Sequence, residues 1–341
     1  MSKKSLGICL IGAGRAGMIH GLNFKKSVSN AEMVAVVDPF EETAQKACKT
    51  LEIDKYYTDY KKAFEDDTVD AVIIVTPTIF HKDIAVAAAY AGKHIFCEKP
   101  MAMNEDECEQ MIVAAAKNKV KLQIGFMRRF DASFIEAKQI ISNGEIGDVV
   151  LVRSLTRGPS KPQEWMYDID KSNGPLAEVN SHDIDSARWF AESELKSVYA
   201  IAGNYRSKEI AGEFPKFYDN VLVNGIFLNG VQFGMDGAQY VKYGYDARVE
   251  ILGTDGVIML GQTQKNSVVV CNKDKKMIRP FMNSWTHLFS EAYLAEDEHF
   301  IDCILEDKPP KVCGMDGKMA VKIVRACNLS ISDNRIVELE Y

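Results

Sequence analysis

Over roughly the first 125 positions, short β-branched apolar runs alternate with segments whose apolar residues recur every three or four places. That rhythm predicts parallel strands at 6–11, 33–37, 71–75, 94–97 and 121–125, linked by helices such as 41–51, 82–91 and 105–118. In 82–91 the residues Ile84, Ala85, Ala88 and Ala89 share one helical face, which marks that face as buried. After Gly125 the pattern changes. Asp131 caps a helix running to about Ser142, Asn143-Gly144 closes it, and longer strand-like segments follow at 148–157, 195–205, 219–229, 231–241, 246–253 and 256–260. Short turns at Asn229-Gly230 and Thr254-Asp255-Gly256 join neighbours into an open, mainly antiparallel sheet. Helical patterns at 290–306 and 316–332 and a strand at 335–339 close the chain. The expected fold class is α/β: a doubly wound parallel sheet over 1–125, then an α+β domain with a large open sheet over 126–341. The segment 158–174 reads as a long loop of the kind that covers a binding site.

Length agrees with two domains, because 341 residues exceed what one hydrophobic core usually organises. Hydrophobic residues at 47% and charged residues at 26% are the balance of a globular protein. No apolar run approaches the roughly 20 residues of a membrane span. The apolar stretch after Met1-Ser2-Lys3-Lys4-Ser5 is too short for a secretion leader, so the expected location is cytoplasmic. Eight cysteines are scattered without a C-x-x-C pair, which suits reduced, buried thiols. A net charge of -7 without a cluster of Lys and Arg argues against nucleic acid as a partner.

Gly12-Ala13-Gly14-Arg15-Ala16-Gly17 follows the first strand and opens a helix, the setting that a dinucleotide fingerprint requires. Gly12 makes the tight turn, Gly14 lets a pyrophosphate approach the backbone, Gly17 permits close packing, and Arg15 and Ala16 complete the phosphate-facing turn. The first domain is therefore expected to be a Rossmann domain. The second strand ends in Asp38, where an acid meets the adenosine ribose and repels a 2′-phosphate, and Pro39-Phe40 bring no basic residue. NAD is expected over NADP. The plainer readings are a glycine turn in another βαβ unit and a solvated turn residue at Asp38.

Further segments resemble the Gfo/Idh/MocA family of sugar and cyclitol dehydrogenases, and with the fingerprint they span nearly the whole chain. Val75-Thr76-Pro77-Thr78-Ile79-Phe80-His81 is similar to the family's loop after the fourth strand, which implies that Thr76, Pro77 and His81 lie against the cofactor. Cys97-Glu98-Lys99-Pro100 matches its E-K-P signature; the resemblance implies that Glu98 belongs to the cofactor site and that Lys99 reaches the substrate hydroxyl. Phe126 to Asp131, the stretch from Tyr243 to Gly253, and Glu291-Ala292-Tyr293 with Asp316-Gly317 resemble later family segments. In Asn173 to Asp185 the family's usual form carries Asp and His four residues apart on one helical face. His182 and Asp185 match, whereas Glu178 stands where Asp is usual and Asn180 where Gly is common.

These residue types suit alcohol oxidation, in which a hydroxyl proton leaves as hydride moves. Histidine is the base needing least tuning, so His182 is the candidate base, Glu178 holds its tautomer, and Lys99 steadies the developing alkoxide. Glu178 with His182 lacks a third ligand, so no metal is expected. Arg128, Trp165 and Tyr167 are candidate substrate contacts, with an ion pair or core packing as the plainer alternatives. The reading is an NAD-dependent oxidoreductase of a sugar, sugar derivative or inositol hydroxyl, assembled as a homodimer or homotetramer through its open sheet. Two rivals stand beside it: a redox-cycling NAD-dependent glycosidase of the same fold, and a non-catalytic dinucleotide-binding regulator.

Overall fold

All six residues of β1 (Leu6–Ile11) are buried, which is why its sequence is an unbroken apolar run rather than an alternating one. The computed structural model describes residues 5–341; Met1 to Lys4, on which part of the leader reading rests, lie outside the described residues. From β1 the chain runs through α1 (Arg15–Lys26), β2 (Ala31–Val37), α2 (Glu41–Leu51), β3 (Tyr56–Tyr57), α3 (Tyr60–Phe64), β4 (Ala71–Ile74), α4 (His81–Tyr90), β5 (His94–Glu98), α5 (Glu105–Lys117) and β6 (Leu122–Gly125). The strands form one parallel sheet in the order β3-β2-β1-β4-β5-β6. The order reverses between β1 and β4, and ligands bind such sheets beyond the carboxyl ends of the strands at that point. Ile84, Ala85, Ala88 and Ala89 of α4 are buried as the pattern indicates. The short β3 and α3 span too few residues for a periodicity to be visible.

The next stretch carries α6 (Ala132–Ser142), β7 (Val149–Gly158), α7 (Glu164–Tyr167), α8 (Ile169–Ser172), α9 (Ser181–Ala191), β8 (Leu195–Gly203), β9 (Asn220–Phe227), β10 (Gln232–Gln239), β11 (Asp246–Gly253) and β12 (Val257–Leu260). A small hairpin of β13 (Val270–Cys271) and β14 (Met277–Ile278) follows, then α10 (Trp285–Leu288), α11 (Ser290–Leu305), α12 (Gly314–Asp333) and β15 (Val337–Glu338). Asp131 caps α6 by accepting from the Ser133 and Phe134 amides. Seven strands make a sheet in the order β12-β11-β7-β10-β9-β8-β15, antiparallel except where β7 runs parallel to β10. One face buries Val152, Val198, Val223, Phe233, Met235, Val249 and Ile251. The opposite face exposes Tyr199, Ile201, Leu222, Ile226, Leu252, Val257 and Met259, with Ile201 paired to Leu222 and Leu252 to Val257 across strands. The segment read as one long loop after β7 folds instead into the one-turn helices α7 and α8.

The chain divides into two compact units that differ from a single cut near residue 125. The first unit is the chain up to Phe130 together with Glu291–Val321; the second is Asp131–Ser290 with Lys322–Tyr341. Phe300 and Ile301 of α11 enter the core formed by Ile8, Leu10, Val36, Ile73 and Phe96. An apolar stripe announces that a helix buries one face, but its period does not say against which sheet.

Candidate active site

In the first unit the fingerprint glycines each answer a different demand. Gly12 sits at φ +97, a conformation that favours glycine, and a Cβ there would lie 2.6 Å from the Val75 carbonyl oxygen. A Cβ on Gly17 would lie 2.0 Å from the Gly12 carbonyl oxygen, so the helix can approach the turn only without one. At Gly14 a Cβ would meet nothing within 4 Å, which leaves the helix end open. Helices α3, α5 and α6 begin with side-chain caps from Asp59, Asn104 and Asp131, whereas α1 has none and carries no acid in its first turn. Its uncapped start and its dipole suit an anion such as a pyrophosphate. Arg15 is exposed on the first turn, and Ala16 is half-buried. Asp38 accepts from the Ala13 amide at 3.0 Å and the Phe40 amide at 3.0 Å, tying the end of β2 to the glycine turn. Each carboxylate oxygen keeps a further lone pair for a ribose hydroxyl. The residues present fit NAD.

Thr76 and Pro77 are half-buried at the exit of β4, and the Thr76 hydroxyl has no hydrogen-bond partner among the described residues. His81 is buried, with Nδ1 2.9 Å from the Pro100 carbonyl oxygen and Nε2 2.7 Å from that of Thr76. Burial pushes its pKa down, while the two carbonyls favour the charged ring. Both nitrogens are thus turned to backbone, which braces two loops.

Lys99 is half-buried just past the carboxyl end of β5. Its amide donates to Glu98 Oε2 at 2.9 Å. Glu98 also reaches into the core: its Oε1 lies 3.2 Å from His20 Nε2. A Cβ on Gly125 would lie 2.9 Å from the Glu98 carboxyl carbon, so β6 keeps a glycine where that carboxylate crosses it. His20 Nδ1 lies 2.7 Å from Asp297 Oδ1, whose other oxygen accepts from Asn23 at 2.9 Å. Burial alone would lower the His20 pKa; the charges and hydrogen bonds of Asp297 and Glu98 outweigh it and hold the ring well above the ordinary histidine value. Glu296 is fully buried beside them, and neither carboxylate oxygen has a partner among the described residues. Burial, then the charge of Glu98, pushes its pKa well up. Sequence reasoning missed His20, Glu296 and Asp297. The available signal was a polar residue on the buried face of α1, where Gly17, His20, Gly21 and Phe24 line up, and two acids inside the apolar stripe from Tyr293 to Phe300.

In the second unit a π-helical turn, Leu176–Asn180, leads into α9. Such wide turns recur at functional sites, and this one replaces the regular helix expected between Glu178 and His182. Glu178 is half-buried; His182 is buried in the first turn of α9. Below it Asp183 accepts from Ser154, from Thr156 at 3.0 Å and from the Asn180 amide at 2.8 Å, which pins the start of α9 to β7. Asn180, the departure from glycine, occupies the space over Gly237, where a Cβ would come within 2.0 Å of its side-chain oxygen. Tyr167 packs against Phe214 and Phe217 with centroids 5.7 and 5.0 Å away, and its hydroxyl is buried without a partner among the described residues. Trp165 is half-buried, and its Nε1 donates to Gln163 at 2.9 Å. Arg128, which belongs to the first unit, is 1% exposed in the turn Met127–Phe130. Of the expected substrate contacts, Arg128 and Tyr167 are buried and Trp165 is half-buried.

Residues 6–126 match the family model described as an oxidoreductase family, NAD-binding Rossmann fold, and residues 138–339 match that of an oxidoreductase family, C-terminal alpha/beta domain. The chain is 32% identical over 335 residues to the myo-inositol 2-dehydrogenase of Thermotoga maritima, covering 98% of both. It is 32% identical to the scyllo-inositol 2-dehydrogenase (NAD(+)) of Bacillus subtilis, covering 97% of this chain and 95% of the relative. A crystal structure of scyllo-inositol dehydrogenase from Lactobacillus casei with bound NAD(H) and scyllo-inositol matches with a TM-score of 0.89 at 28% identity, over 98% of this chain and 99% of that one.

Proposed function

Because the chain belongs to the Gfo/Idh/MocA oxidoreductase family, we propose that it is an NAD-dependent inositol dehydrogenase, acting on a secondary ring hydroxyl of a cyclitol. The observation that carries this reading lies within one sheet: the open, uncapped start of α1 after β1, and Lys99 at the carboxyl end of β5. NAD, when bound, supplies the hydride acceptor. Thr76 and Pro77 line the cofactor, and Asp38 takes the ribose hydroxyls. As the carbinol C–H bond breaks, the Lys99 ammonium steadies negative charge on the oxygen, and His182 accepts the hydroxyl proton. The products are a ketone, reduced cofactor and that proton. Glu178 is a positioning residue for His182. Trp165 offers a flat face to ring carbons, and Arg128 and Tyr167 are further candidate substrate contacts.

The exposed face of the second sheet, with its apolar cross-strand pairs, supports assembly as a homodimer or homotetramer. Eight unpaired cysteines, six of them buried, support a cytoplasmic location, and no described helix is long and apolar enough to cross a membrane. Changing Lys99→Ala or His182→Ala is expected to lower kcat by about 100- to 10,000-fold while NAD affinity stays within about threefold. Turnover at the parent rate in either variant removes that residue from the chemistry.

A further inference from the structure

Behind the E-K-P turn lies a buried ionic cluster that the chemistry above does not use. His20 is fully buried, with its ring against Phe96 at 5.0 Å and Tyr293 at 5.5 Å between centroids. One carboxylate faces each nitrogen, Asp297 at 2.7 Å and Glu98 at 3.2 Å. Only the imidazolium donates to both at once. Glu98 spends its second oxygen on the Lys99 amide, in a space that Gly125 leaves open. A single charged ring thus ties three elements: α1, whose start is the expected pyrophosphate site, β5, which ends just before Lys99, and α11, which supplies Asp297 and Glu296.

We infer that His20, held by Asp297, is a positioning residue for Lys99: through Glu98 it fixes the backbone from which the lysine is presented. The inference rests on the reading of Lys99 as the residue that steadies the alkoxide. Charge supports it. Glu98, Asp297 and Glu296 would place three negative charges around one imidazolium, a costly arrangement in a core. Glu296 has no partner for either oxygen among the described residues, and burial pushes its pKa well up, which favours its neutral form and leaves Glu98 and Asp297 one negative charge in excess of the imidazolium. Removing the imidazolium leaves that negative charge larger and lets the Glu98 carboxylate move.

The test compares His20→Gln, Asp297→Asn, Lys99→Ala and the double variant His20→Gln/Lys99→Ala in the full-length protein. His20→Gln is expected to lower kcat by about 10- to 100-fold, the cost of a misplacement of about 1 Å, with NAD affinity within about threefold. Asp297→Asn retains an acceptor for the ring and loses less than His20→Gln. In the Lys99→Ala background, His20→Gln changes kcat by less than about twofold. A parent-like kcat in His20→Gln overturns the inference. So does a full, multiplicative loss in the double variant, which reports a general structural role. Stoichiometric metal in the purified protein, lost in His20→Gln, also overturns it, since His20, Glu98 and Glu296 offer ligand-type atoms within 4.8 Å of one another. Full turnover in Lys99→Ala would remove the lysine reading itself, whatever His20 does.

Discussion

Two glycines of one turn are expected to fail in opposite ways when each gains a methyl group. At Gly17 the new Cβ would lie 2.0 Å from the Gly12 carbonyl oxygen, against about 3.4 Å for ordinary contact, so α1 and the turn must separate by about 3.4 − 2.0 = 1.4 Å. Overpacking of this kind costs about 1–3 kcal/mol, and Gly17→Ala should melt several degrees lower. Gly14 differs. Its backbone at φ -72 and ψ -173 accepts alanine, and no protein atom lies within 4 Å of the added carbon. Gly14→Ala should keep or slightly raise the melting temperature, by up to about 1 kcal/mol of stability. If the pyrophosphate occupies the open helix end, the same methyl intrudes on it, and a penalty of about 1–3 kcal/mol becomes about a 5- to 150-fold weaker Kd. Calorimetric NAD titration with thermal melts separates the two effects. A Gly14→Ala variant that binds NAD as the parent does would refute the placement of the pyrophosphate.

Three further outcomes follow from named contacts. Asp38→Ala should lower the ratio of kcat/KM for NAD over NADP by about tenfold or more, and an unaltered ratio would remove the ribose contact. Glu296 and His20 both have pKa values raised in the fold, so their stabilisation is full below their unfolded values and is lost as pH rises through the folded ones. As pH rises above the ordinary carboxyl range the parent should therefore lose melting temperature more steeply than Glu296→Gln, and parallel curves would contradict the raised Glu296 pKa. Gly237→Ala should cost about 1–3 kcal/mol by striking the Asn180 amide, and adding Asn180→Gly should recover part of it. Additive losses would show that the two positions do not meet.

The parallel sheet was legible because both of its faces are covered, which writes each strand as a short apolar block between helical periods. The second sheet was legible through alternation and turn residues, although alternation gave no warning that β7 and β10 run parallel. Side-chain partners were not legible. Glu98 pairs with His20 and His81 with two carbonyls, contacts made across 78 and across 5 and 19 positions of sequence. The π turn before α9 escaped because one extra residue in a turn leaves little trace in a hydrophobic period. What the motifs did mark were backbone requirements: Gly12 and Gly17 stand where only a bare backbone serves the turn and the close approach, and Gly14 stands at the open helix end.

The central claim is that this chain passes hydride from a cyclitol to NAD. The direct measurement is nicotinamide absorbance when the protein is mixed with NAD and a panel of inositols, aldoses, sugar acids and glycosides. Accumulation of reduced NAD with an inositol is the expected result. No net reduction by any member, with NAD recovered from the denatured protein and a glycoside cleaved, would contradict it and favour a redox-cycling hydrolase.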